Sequence, residues 1–199
     1  MKKIKILLSF SIILSMLMCT QAFAVELYGK KLSRGISNFC YYVDSSASSY
    51  TSAINSAKNR WSSSIDDNCP FNMTAVSSSS GSTADYYGKS SSYFGQYANS
   101  IIAETQFYSS SSVQVSPYST NWFYTETFIN KGIMPSNSTS RITVMAHELG
   151  HTFGLDDSTH AGDIMYENYE SYFGDPGTGV TIAEYNAVLN LYGYEEVSK

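Results

Sequence analysis

Histidine, cysteine and basic side chains are all scarce in this 199-residue sequence. It has three His, three Cys and 12 Lys plus Arg against 17 Asp plus Glu. The shortage of positive charge excludes a nucleic-acid partner, because phosphate binding needs a basic surface. Fixed-period repeats and domain linkers are also missing, which predicts a single domain. Long apolar runs are missing too, with one exception near the start. Ile6 to Met18 is almost wholly apolar, follows Lys2, Lys3 and Lys5, and precedes Ala22-Phe23-Ala24. That run is too short to span a bilayer comfortably. Its flanks predict a secretory signal peptide over residues 1–24, cleaved after Ala24, and hence a secreted, extracellular protein with no stable membrane anchor.

The expected mature chain, residues 25–199, has 175 residues, enough for one domain with a real core. Losing the three leading lysines leaves 9 basic side chains against 17 acidic ones, a formal charge of −8. Two cysteines remain, Cys40 and Cys69. An even count in an exported chain predicts a disulfide between them. It would close a loop of about 30 residues and add roughly 3–4 kcal/mol.

Serine clusters such as Ser45–Ser49 and Ser77–Ser82 separate the apolar segments and read as loops and caps. Ile36–Val43 reads as a strand from its aromatic and β-branched content. Tyr50, Ala53, Ile54, Ala57 and Trp61 recur at helical spacing, so Ser49 to about Ser62 reads as an amphipathic helix. Asn72–Val76, Ile101–Tyr108 and Trp122–Ile129 are further strand candidates. Thr139–Phe153 and Ile182–Tyr192 are the second and third helices. Thr181 and Glu184 make a capping box for the third, and Gly193 ends it. The order predicts an α+β fold with a small mixed twisted sheet and three helices.

Two of the three histidines fall within five residues, in His147-Glu148-Leu149-Gly150-His151. Residues four apart on a helix sit nearly above one another, about 6 Å along the axis. His147 and His151 therefore point the same way, with Ile142, Met145, Ala146, Leu149 and Phe153 gathered opposite. Two imidazoles so placed can each give a nitrogen to one Zn2+. Glu148 is turned about 100° from His147 around the axis. That position is poor for a third ligand and good for a general base acting on water. Gly154 can take positive φ and turn the chain sharply after the helix, bringing back Asp157, ten residues after His147, as a third ligand. His160, three residues further on, is the rival third ligand.

The eleven residues from His147 to Asp157 resemble the metzincin signature H-E-x-x-H-x-x-G-x-x-[H/D]. Asp163-Ile164-Met165-Tyr166 resembles the Met-turn, with Met165 as its methionine beneath the metal. Leu189-Asn190-Leu191-Tyr192-Gly193 resembles the closing helix of matrixin-type catalytic domains. Asp157 stands where most members place histidine; a minority, resembling the snapalysins, place aspartate there. The resemblance implies a zinc endopeptidase of metzincin-like zincin fold, acting on protein or peptide substrates, with extended substrate pairing to an edge strand. Trp122–Ile129 is the strand expected in that role. In some relatives a tyrosine two residues past the methionine reaches the metal, but Glu167 holds that position here. Structural calcium is a further family expectation, although Asp66, Asp67, Asp163 and Asp175 show no calcium-loop spacing. The competing reading is a catalytically inactive metzincin fold that binds peptides or cell-surface partners, and an intact Glu148 argues against it.

Overall fold

The computed structural model describes residues 25–62, 70–167 and 179–197. The signal-peptide segment and Cys69 lie outside the described residues, and Cys40 carries a free thiol, half-buried on the first strand.

The strands are β1 (Phe39–Val43), β2 (Met73–Val76), β3 (Ala84–Lys89), β4 (Ala103–Tyr108) and β5 (Tyr124–Asn130). They form one sheet in the order β2-β1-β3-β5-β4. All neighbours are parallel except β4, which runs antiparallel to β5 at the edge. Three α-helices accompany the sheet among the described residues: α1 (Thr51–Ser62), α2 (Ser138–Phe153) and α3 (Ile182–Tyr192). The mixed α+β layout expected from the sequence is therefore present.

Two features depart from the expected elements. β3 was not foreseen, because it contains a buried Asp85 and a glycine and shows no alternation. Its Gly88 is required by packing, since a side chain there would run into the backbone carbonyl of Ser46. The second departure concerns the strand expected to take substrate. The strand within Trp122–Ile129 is β5, which is interior and paired on both sides. The edge strand next to α2 is β4. Aromatic and β-branched content marks a strand but says nothing about which neighbour it acquires.

The core lies between the sheet and the helices. Trp61 of α1 and Phe153 of α2 meet edge to face at 5.3 Å between centroids, and Phe71 closes on Phe153 at 4.9 Å. The Trp61 indole N–H donates to the Ala146 carbonyl at 2.9 Å, so α1 fixes α2 by a polar bond inside apolar packing. From β5, Thr125 meets Thr152 of α2 hydroxyl to hydroxyl at 3.0 Å. Sandwiched this way, α2 is buried on nearly every side from Thr143 onward, with Ile142 only half-buried. The amphipathic pattern foresaw one buried face; the opposite face, bearing the histidines, is also covered.

Both ends of α2 and the start of α3 are capped as their residues dictate. Asn137 accepts from the Thr139 N–H at 2.7 Å and starts α2. Gly154 ends it in the left-handed region at φ 107°. The capping box of α3 is complete: Glu184 N–H donates to Thr181 Oγ1 at 3.2 Å, and Thr181 N–H donates to Glu184 Oε2 at 2.8 Å.

Candidate metal centre

The final turns of α2 carry His147, Glu148 and His151, all three buried. After Gly154 the chain reverses, and Asp157 returns to the histidines. Its Oδ1 lies 3.2 Å from His147 Nε2 and 3.6 Å from His151 Nε2. One ligand atom from each of these three residues lies within 4.8 Å of the others. Asp157 is about half exposed, so the group opens to solvent on its carboxylate side. It sits in a cleft of about 220 Å3 bordered by Tyr28, Thr105 and Glu167.

The far side of each imidazole fixes what the near side offers. His147 Nδ1 lies 3.0 Å from the Ile164 carbonyl oxygen, and His151 Nδ1 lies 3.0 Å from that of Leu155. A carbonyl oxygen can only accept, so both Nδ1 atoms carry protons, and each Nε2 faces the Asp157 carboxylate, as a donor when it carries a proton and with a lone pair when it does not. Burial, with His147 alongside, holds His151 below its usual pKa and favours the neutral ring. Partial burial opposes ionisation of Asp157, but the hydrogen bond from His147 and the two histidines nearby outweigh it, and its pKa falls below the usual carboxylate value. Three acceptor atoms facing one another repel unless positive charge lies between them. A proton can bridge one pair; a divalent cation satisfies all three. Two nitrogens, one carboxylate oxygen and an open side are the donor set of a catalytic zinc site.

Glu148 is held separately. The Thr105 hydroxyl of β4 donates to its Oε2 at 2.7 Å, and the Thr127 hydroxyl of β5 stands 3.0 Å behind Thr105. Burial pushes the Glu148 pKa up, against the lowering pull of His151 and Thr105. The carboxylate thus lies in the same cleft as the three acceptors but is anchored to the sheet.

Met165 is fully buried directly under α2. A side chain at Gly150 would collide with its sulfur and come within 3.2 Å of the Trp61 ring. The Met165 N–H donates to Glu184 Oε1 at 2.9 Å, tying this turn to α3. His160 stands outside the three-atom group. Its N–H donates to Ser158 Oγ at 3.0 Å, and its ring nitrogen lies 3.4 Å from the same oxygen. Asp163 accepts from that hydroxyl at 2.7 Å, making Ser158 the centre of the turn. Asp156 accepts from the Tyr118 hydroxyl at 3.1 Å.

Sequence reasoning missed two contributors. Thr105 reaches Glu148 across 43 positions, and Tyr28 reaches His151 across 123. The Tyr28 hydroxyl lies 2.9 Å from His151 Nδ1. No local pattern announces contacts at such separations.

Comparison with known proteins gives one family match: the sequence pattern of the matrixin family fits residues 36–193. No curated protein matches the chain. Among solved structures similar to it is one described as "GM1 bound form of the ECX AB5 holotoxin". The two share 12% identity over 85% of this chain and 86% of that one, with a TM-score of 0.49.

Proposed function

The chain belongs to the matrixin family of metallopeptidases, and from that premise we propose that it is an exported zinc endopeptidase in which His147, His151 and Asp157 hold the metal and Glu148 is the general base. The observation that carries this reading is the convergence of three ligand atoms on one point, two of them imidazole nitrogens whose opposite ring nitrogens are already committed to carbonyl oxygens. Zinc in this donor set would supply Lewis acidity, acidifying water in its open position and polarising a substrate carbonyl.

The protein's own part is proton handling and positioning. The Glu148 carboxylate takes a proton from water and later delivers one to the leaving amine. Thr105 holds one of its oxygens, so the other faces the cleft in a fixed direction. The raised pKa of Glu148 fits a group that must both accept and release a proton. Asp157 contributes negative charge, leaving a metal of lower net charge than three imidazoles would.

Substrate pairs with β4 on this account, in place of the strand expected from the sequence. β4 carries Thr105 at the catalytic carboxylate and, among the described residues, is the last strand of the sheet beyond β5. Its far end is partly covered, since Val115 N–H donates to the Phe107 carbonyl at 2.9 Å. The Ala103–Gln106 stretch is left to receive an extended peptide by strand addition. A groove lined by Glu104, Thr105, Gln106 and Val115 runs on from the metal cleft.

The test is hydrolysis of denatured casein by the mature protein, with and without a chelator. Cleavage should stop with the chelator, and Glu148→Ala should abolish it while zinc stays bound. Zinc binding without any cleavage would favour the inactive binding fold, and cleavage by Glu148→Ala would overturn the assigned base.

A further inference from the structure

The residues just before the family match are stitched onto the metal loop. Tyr28 N–H donates to the Gly154 carbonyl at 3.1 Å, and Asp156 N–H donates to the Glu26 carbonyl at 3.0 Å. Leu27 and Leu155 form the antiparallel bridge between them. Glu26–Tyr28 and Gly154–Asp156 thus make a short two-stranded ribbon, and Asp157 follows directly from its second strand. Further along, Ser33 N–H donates to the Trp122 carbonyl at 2.7 Å, and Leu32 N–H donates to the Tyr192 hydroxyl at 2.9 Å. The segment is therefore anchored beyond the site as well as beside it.

Tyr28 is the side chain this ribbon delivers. Its ring stands edge to face against Phe107 at 5.4 Å, Tyr118 at 5.0 Å and Trp122 at 6.3 Å. Those three rings fix where the hydroxyl lies. The hydroxyl meets His151 Nδ1, which already faces the Leu155 carbonyl at 3.0 Å. With the Leu155 oxygen able only to accept, the Nδ1–H is shared between it and the Tyr28 oxygen. Two acceptors on that proton lock the ring plane and make Nε2 a better donor to a cation.

We propose that Tyr28 is a positioning residue of the metal centre, holding His151 in tautomer and orientation, and that the ribbon it rides on makes residues 26–28 a working part of the zinc site. This rests on the zinc reading above. Residues 26–28 precede the stretch matched to the family, residues 36–193, so the assignment comes from the contacts of this chain.

Tyr28→Phe removes only the hydroxyl and keeps the ring packing. Zinc affinity is measured by competition with a chromophoric chelator, alongside the thermal midpoint of the metal-free protein. The expected result is zinc affinity about tenfold weaker, with the metal-free midpoint unchanged within a degree or so. In the Co2+-loaded variant the visible absorption should shift as the His151 ring loosens. Unchanged zinc affinity, with wild type binding one equivalent, would overturn the role of Tyr28 and leave the zinc reading intact. Weaker binding matched by an equal loss of metal-free stability would make Tyr28 a packing residue and also overturn it. Wild type that takes up no zinc would instead sink the underlying function.

Discussion

Replacing Gly150 with alanine tests whether Met165 lies where the metal centre needs it. In an ordinary helix interior the change is favourable by about 1 kcal/mol, because glycine carries the larger backbone entropy cost. Here the new methyl would strike the Met165 sulfur and crowd the Trp61 ring at 3.2 Å. Met165 is fully buried and cannot swing into solvent. Overpacking of a tight core costs roughly 1–3 kcal/mol, and with a fully buried clash on one side and a ring on the other the upper end applies. The net expectation is destabilisation by about 2 kcal/mol, or roughly 4–8 °C in Tm for a domain of this size. Thermal unfolding of the metal-free protein by circular dichroism reads it directly. Met165→Ala alone should cost about 2–5 kcal/mol through the cavity it leaves. In the double variant the added methyl occupies part of that cavity, so the combined loss should fall short of the sum by about 1–2 kcal/mol. A Gly150→Ala protein as stable as wild type, or a strictly additive double variant, would show that the methionine is not seated under the histidine helix.

The other predictions concern single groups. Glu184 accepts from the N–H groups of both Met165 and Thr181, so Glu184→Gln turns an amide donor toward one of them and should cost about 1–3 kcal/mol in chemical denaturation; no loss would mean the link between turn and helix is unimportant. Asp85, beside Ser82 and Tyr87, is pushed up to about 6, chiefly by burial and further by Glu126. Its folded pKa exceeds its unfolded one near 4, so the native state holds the extra proton and stability falls as pH rises from about 4 to about 6. Asp85→Asn should lose that slope and be the more stable protein above pH 6, by on the order of 1 kcal/mol; an unchanged pH dependence would contradict the burial argument. Thr105→Val frees the Glu148 carboxylate and should lower kcat about tenfold or more while zinc content stays constant, whereas unaltered turnover would remove Thr105 from the positioning of the base.

How much was legible in the sequence follows the distance over which each contact acts. His147, Glu148 and His151 were readable because a helix turns their spacing into geometry within one and a half turns. Gly154 and Asp157 were readable because a left-handed residue after a helix reverses the chain, as φ 107° confirms. The capping box at Thr181 and Glu184 is likewise local, but the second oxygen of Glu184, which reaches Met165, is not. Tyr28, Thr105 and the edge position of β4 depend on how the sheet is ordered and on where the N-terminal segment docks. Nothing in a run of residues encodes which strand lies at the sheet's edge, so Trp122–Ile129 was assigned the edge in place of β4. β3 was missed because a central strand buried on both faces loses the alternation that identifies half-exposed ones.

The central claim is that His147, His151 and Asp157 meet on one divalent ion. Metal analysis of the purified, processed protein, followed by zinc titration after chelator treatment, addresses it most directly. The account predicts one equivalent of zinc per chain, with uptake lost in His151→Ala and strongly weakened in Asp157→Ala. A protein that carries no metal and takes up none, or one whose zinc is retained unchanged when both residues are replaced, would contradict it.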